Sequence, residues 1–107
     1  MLGVSMTFFG TTVSEKEAVG ILKDGGSVRV IAEEQAFGGP GGVKGLWTIK
    51  VTDIEGIQYS VRVAQKSEIK LYRTPTGLFS FFEAAGFEQA TLPMKAGSSV
   101  VLCLDSK

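Results

Sequence analysis

The clearest pattern in the chain is an alternation of apolar and polar residues along two adjacent stretches in its middle. Trp47, Ile49 and Val51 alternate with polar residues, and the alternation resumes at Tyr59 and Val61. A period of two is typical of strands with one buried face. Residues 53–56, with the sequence DIEG, lie between the stretches and end on a glycine that tolerates positive φ. The pattern predicts a β-hairpin.

A helical pattern precedes this hairpin. Ser14 and Glu17 have the spacing of a capping box, in which each side chain bonds the backbone of the other residue. Ala18 and Leu22 then fall on one helical face, and the DGG sequence of residues 24–26 is a stop signal. The pattern predicts a helix that begins at Ser14.

A second helix is predicted after residue 74. Thr74 suits the N-cap, Pro75 suits the first helical position, and Gly86 suits the C-terminal end, where Phe87 can fold back onto the helix. Apolar residues recur at helical spacing and predict one buried face. This face consists of Leu78, Phe81, Phe82 and Ala85.

Four further segments have the composition of strands: residues 6–10, 27–34, 68–72 and 99–104. In the third we expect Ile69 and Leu71 to point inward. The fourth is apolar enough to be a central strand. The predicted order is β-α-β-β-β-β-α-β, an α+β fold with a single antiparallel-rich sheet of five to six strands and two helices packed on one face. Residues 1–107 are expected to form a single domain.

Composition narrows the function classes. The 107 residues carry zero net charge, so the molecule as a whole has no general electrostatic attraction for nucleic acid or acidic membranes. Weak self-repulsion leaves self-association unopposed. A single cysteine suits a reducing compartment, and the N-terminus resembles neither a signal peptide nor a membrane span. We therefore expect a cytoplasmic protein, in which residues 1–5 precede a second methionine that is an alternative start.

Residues 36–47, with the sequence AFGGPGGVKGLW, raise the question of a phosphate-binding loop. Lys44 follows Val43 rather than a glycine, Gly45 stands in the place of the hydroxyl residue, and a strand follows rather than a helix. Neither phosphate-loop motif is therefore present. The composition predicts a flexible hairpin connection of roughly ten residues. A mobile lid or partner-binding loop anchored by Phe37 is the alternative.

Catalytic chemistry has little support in the residues. The chain has no histidine, which removes the commonest general base and metal ligand and excludes the serine and cysteine triads that need one. Cys103 lies in an apolar stretch, where a thiol is expected to be buried and inert. We expect no cofactor and no metal, and we favour a non-enzymatic protein.

Two sets of residues are candidate surfaces. The first is a basic face of the sheet, opposite the core, of the kind that binds single strands, although Glu33 and Glu68 dilute its charge. It consists of Arg29, Lys50, Arg62, Lys70 and Tyr72. The second is a loop or interface set. It consists of Phe37, Lys44, Trp47, Ile54 and Phe79.

These observations favour a small binding or interaction protein that acts as a homodimer through its sheet face or glycine-rich loop. One alternative is a small-molecule-binding or enzymatic domain with a pocket between helices and sheet, near Trp47, Tyr59 and Phe79. Another, less favoured, is a nucleic-acid-binding accessory protein. A protein partner other than a second copy stays open, and no membrane partner is expected.

Overall fold

The structure, a computed structural model, describes residues 11–63 and 68–104. The predicted strand at residues 6–10 and the extension at residues 1–5 lie outside this part of the chain. The described elements, in chain order, are β1 (Thr11–Val13), α1 (Glu15–Lys23), β2 (Ser27–Phe37), β3 (Lys44–Thr52), β4 (Gln58–Val61), α2 (Pro75–Ala85) and β5 (Ser99–Cys103).

The described strands form one five-stranded sheet in the order β1-β4-β3-β2-β5. Strands β2, β3 and β4 follow one another in the chain and pair antiparallel, and β5 pairs antiparallel with β2. Strand β1 pairs parallel with β4, so the sheet is mixed. The predicted α+β class is confirmed, with five strands and an antiparallel majority of pairings.

The predicted hairpin is the β3–β4 pair, in which Val51 lies opposite Tyr59. Its turn is held by Asp53, whose carboxylate oxygen Oδ1 accepts hydrogen bonds from the backbone N–H groups of Glu55 and Ile57, both at 2.9 Å. Gly56 has a φ of +89°, as the turn requires. Bonds from three donors, the Tyr59 hydroxyl included, occupy the Asp53 carboxylate and hold its pKa below the ordinary value.

Both helices begin and end where the sequence predicts. At α1 the Ser14 backbone N–H donates to the Glu17 carboxylate at 2.8 Å, and Ser14 Oγ accepts from the Glu17 N–H at 3.2 Å. At α2, Thr74 caps the first turn, and Gly86 ends the helix with a φ of +99°. Phe87 then folds back, with its ring centroid 5.4 Å from that of Phe82.

The core lies between the two helices and one face of the sheet. Strands β2 and β3 pair so that their buried residues lie side by side, with Val30 opposite Ile49 and Ala32 opposite Trp47. The Trp47 indole is fully buried, and its Nε1–H donates to the Pro93 carbonyl at 2.8 Å. The buried face of α2 is the predicted one: Leu78, Phe81, Phe82 and Ala85.

The prediction that residues 99–104 form a central strand is wrong. Strand β5 ends the described sheet, and its residues alternate between exposed and half-buried positions. Val100 and Leu102 pack against the edge of the core, whereas Val101, although apolar, lies on the face exposed to solvent. Cys103 lies on the solvent side and is exposed, so the prediction of a buried thiol is also wrong.

The segment of residues 68–72 forms isolated bridges rather than a full strand, and its faces are the reverse of the prediction. Trp47 and Tyr72 exchange two backbone hydrogen bonds, at 2.8 and 2.9 Å. Residues paired in this way place their side chains on the same face, so Tyr72 lies with Trp47 in the core. Ile69 and Leu71 consequently point outward, 40% and 47% exposed.

No helix in the described part of the chain is long and apolar enough to span a lipid bilayer.

Candidate functional site

A cleft of about 660 Å³ lies between α1, α2 and the segment of residues 70–73. Its volume lies within the range of about 300–1,000 Å³ that is usual for small-molecule sites. Its lining combines apolar side chains with polar groups from all three elements. The lining residues are Glu15, Lys16, Val19, Lys70, Leu71, Tyr72, Arg73, Gly77, Ser80, Phe81 and Ala84.

The floor of the cleft is a hydrogen-bonded group of three side chains. The buried Tyr72 donates its hydroxyl hydrogen to the Glu15 carboxylate oxygen Oε2. Lys70 Nζ lies 3.9 Å from the same oxygen and 5.6 Å from the centre of the Tyr72 ring. Burial, and then the bond to Glu15 and its negative charge, raise the pKa of Tyr72 well above the ordinary value. Tyr72 is therefore a neutral hydroxyl throughout the physiological range.

Local structure explains why Glu15 reaches the floor. Glu17 is held in the capping box with Ser14, and Arg62 Nη1 lies 3.6 Å from the Glu17 carboxylate. Glu15, in the same helical turn, has no role in the cap, and its carboxylate accepts the hydrogen bond from Tyr72. The first turn of α1 thus separates its two carboxylates, one to cap the helix and one to form the site.

Helix α2 opens the cleft because its facing residues are small. Gly77, Ser80 and Ala84 line the wall at helical spacing, so α2 does not fill the space beside α1. Glu15, Lys16, Arg73 and Ser80 were not among the site residues predicted from the sequence. The sequence feature that could have predicted the cleft is this row of small residues next to the buried face of α2. Small residues leave space beside a helix.

The charge of the cleft favours an acidic ligand. Lys16, Lys70 and Arg73 contribute three cations to the lining and Glu15 one carboxylate. Glu15 already contacts Lys70 and Tyr72. Within residues 11–63 and 68–104, the ion pairs do not include Lys16 or Arg73. An acidic group in the cleft would therefore meet two cations that have no carboxylate partner there.

The cleft offers groups that can bind a ligand. The polar groups of a ligand could bond to a neutral tyrosine, a paired carboxylate, a serine and cations. The hydrocarbon of the ligand could pack against the apolar side chains of the lining. No group of three or more acidic or cysteine side chains in the described ranges is arranged to hold a metal ion.

The predicted basic face is divided in the structure. Arg29 and Lys50 do lie on the outer face, directly opposite each other on β2 and β3. Arg62 reaches toward Glu17, and Lys70 lies on the helix side near Glu15. Tyr72 is buried in the core rather than exposed on the outer face. Its absence there removes the aromatic residue on which base stacking by this face depended.

The predicted loop and interface set is also dispersed. Ile54, Phe37 and Phe79 are exposed by 71%, 60% and 45%, in the β3–β4 turn, at the end of β2 and on α2. Lys44 is exposed at the start of β3, whereas Trp47 is fully buried. The pocket expected near Trp47, Tyr59 and Phe79 is not the cleft described above, which none of the three lines.

The glycine-rich connection between β2 and β3 is a turn closed by glycine backbone groups. The Gly42 N–H donates to the Gly39 carbonyl at 2.9 Å, and the Gly39 N–H donates to the Gly42 carbonyl at 3.2 Å. Pro40 and Gly41 lie at the tip, exposed, and Gly42 has a φ of +97°. Residues 37–44 are all exposed.

Deletion of Pro40 and Gly41 is expected to change the free energy of unfolding by less than about 1 kcal/mol. Loop-closure entropy varies slowly with length, and the remaining Gly39 and Gly42 suit a two-residue hairpin turn. Urea denaturation of the deletion variant against the parent measures the difference. A loss of several kcal/mol would show that the tip packs against other parts of the molecule.

Comparisons of the chain with known protein families, with curated proteins and with solved structures find no match. The cleft and the sheet edges of this molecule are therefore the grounds for assigning a function.

Proposed function

We propose that the protein is a binding protein that holds a small molecule with an acidic group and an apolar body in the cleft between α1 and α2. The observation that carries this proposal is a space of about 660 Å³ that polar groups from three elements line together with apolar side chains. A concave apolar space with a few convergent polar groups is the usual form of a ligand site.

The two halves of the cleft match the two halves of such a ligand. Val19 and Phe81 contribute apolar surface to the cleft. Lys16 and Arg73 supply positive charge, and the Tyr72 hydroxyl is fixed by its bond to Glu15. Ligand hydrocarbon would lie against Val19 and Phe81 while the acidic group remained near the cations.

Octanoate is a suitable probe, with 1-octanol as its uncharged counterpart. Titration into ¹⁵N-labelled protein is expected to shift the amide signals of Val19, Gly77 and Ala84, and octanoate is expected to bind more tightly than the alcohol. Arg73→Gln should weaken octanoate binding about two- to fivefold, corresponding to the modest energy of a partly exposed charge pair. The alcohol should bind both proteins equally.

A matched pair of substitutions tests the location. Ala84→Phe fills the cleft and should abolish the binding of both probes, whereas Ala96→Phe, at an exposed alanine outside the cleft, should leave binding unchanged. Signal shifts that map to another surface, or binding that survives Ala84→Phe, would overturn the proposal.

A second candidate function is self-association into a homodimer, favoured by the open edge of the sheet. Strand β5 ends the described sheet with Val101 51% exposed, and the whole chain carries no net charge to oppose association. Sedimentation at micromolar concentration is expected to show a dimer. A monomer at the highest attainable concentration would contradict this candidate.

A further inference from the structure

We infer that two copies of the chain pair through β5, antiparallel, about a two-fold axis that passes beside Val101, so that their sheets join into one. This inference rests on the homodimer proposed above and adds its geometry. In this register Val101 faces Val101 of the second copy, Ser99 faces Cys103, and Val100 faces Leu102. The Ser99–Cys103 and Val100–Leu102 contacts each occur twice, and the Val101–Val101 contact lies on the axis and occurs once, as two-fold symmetry requires.

The backbone groups of β5 that are not bonded to β2 are the ones that this register requires. The Ala32 N–H donates to the Ser98 carbonyl at 2.9 Å, and β2 and β5 continue in unbroken register from Ile31 opposite Ser99. Because antiparallel bonding alternates, Val100 and Leu102 direct their backbone groups to β2. Ser99, Val101 and Cys103 therefore direct N–H and C=O groups away from the sheet, where the second copy would bond them in reciprocal pairs.

The side chains also suit a second copy. On the outer face, Val101 would be covered by its own counterpart. On the helix side, Val100 and Leu102 are half-buried, and a groove of about 510 Å³ lies beside Leu102 next to residues 89–91. Val100 of the second copy would enter this groove opposite Leu102, so both exposed margins of the core would become interior.

Strand β5 has none of the features that usually prevent edge pairing. Its sequence, SVVLC, contains no charge and no proline, and its register with β2 has no bulge. Arg29, the charged residue opposite Val101 on β2, would lie about 14 Å from its counterpart at three strand spacings, so repulsion across the axis is weak. Among the described edges β5 has five residues, against three in β1.

Disulfide cross-linking tests the register directly. In the double variant Val101→Cys, Cys103→Ser, the two cysteines would face each other at a separation that a disulfide spans. A mild oxidant is expected to give a covalent dimer. The unmodified chain is the control, because Cys103 faces Ser99 and lies about 13 Å from Cys103 of the second copy. Its cross-linking should be at least about tenfold slower, since cysteines so far apart cannot be bridged.

A charge at the axis should separate the copies. Val101→Lys is expected to give a monomer in sedimentation, and Ile54→Lys, the same kind of change at a more exposed residue, should leave the dimer intact. A dimer that cross-links through Cys103 as fast as through residue 101, or that survives Val101→Lys, would overturn the register while leaving the dimer standing. A monomeric unmodified chain would overturn both.

Discussion

Replacement of Trp47 by alanine is expected to lower the free energy of unfolding by about 3–5 kcal/mol, which is a large share of the stability of a domain this size. Trp47 is fully buried, it pairs with Ala32 and Tyr72 on either side, and its indole bonds the Pro93 carbonyl at 2.8 Å. Its removal leaves a large cavity and an unpaired carbonyl at once. Chemical denaturation gives the difference directly.

Phe79→Ala is the matched control, because Phe79 lies on α2 with 45% of its surface exposed. Its loss should amount to about 0.5 kcal/mol. If Trp47→Ala does not fold, Trp47→Phe retains most of the ring and isolates the lost bond to Pro93, with an expected loss of about 1–3 kcal/mol. Equal effects of Trp47→Ala and Phe79→Ala would contradict the described core.

Alkaline pH is expected to destabilise the protein through Tyr72. The buried hydroxyl has a pKa raised above its ordinary value of 10.0, by burial first and then by Glu15. Below pH 10 this tyrosine is neutral in both folded and unfolded chains. Above pH 10 the unfolded chain loses the proton while the folded chain keeps it, so the free energy of unfolding should fall by about 1.4 kcal/mol per pH unit.

Denaturation curves between pH 8 and pH 12 measure this slope. In Tyr72→Phe the contribution disappears, so the variant, less stable at neutral pH for want of the bond to Glu15, should approach the parent as pH rises. Tyr59→Phe is the control: the pKa of Tyr59 is also raised, chiefly by its hydrogen bond to Asp53, but that hydroxyl is open to solvent and its effect should be smaller. An unchanged slope in Tyr72→Phe would contradict the buried position of Tyr72.

Local signals accounted for much of the fold. The capping box at Ser14, the proline and glycine that bound α2, and the alternation around Trp47 each depend on neighbouring residues, so the sequence displays them directly. Gly45 is different. A side chain there would come within 2.9 Å of the Trp47 ring. This glycine is therefore required by the packing of the indole and not by a turn of the backbone. Nothing in the loop composition separates it from Gly39 or Gly42.

The predictions for residues 68–72 and for β5 were wrong because pairing with another strand determines which face of each segment is buried. In residues 68–72 both alternating faces carry apolar groups, and pairing with Trp47 selects Tyr72 rather than Leu71 for the core. Strand β5 is apolar on both faces for a similar reason, and the chain alone does not show which strand ends the sheet. The cleft depends on how far α1 lies from α2, which follows from packing and not from any motif.

The strand order has a consequence for motion within the folded protein. The three interior strands, β2 to β4, are consecutive in the chain, whereas the two edges are joined to them by distant pairings such as Thr11 with Tyr59 and Ser27 with Cys103. An edge strand can detach without disturbing the interior ladder, and such partial openings govern amide hydrogen exchange. The slowest-exchanging amides should therefore lie in β3, and those of β1 should exchange long before the molecule unfolds as a whole.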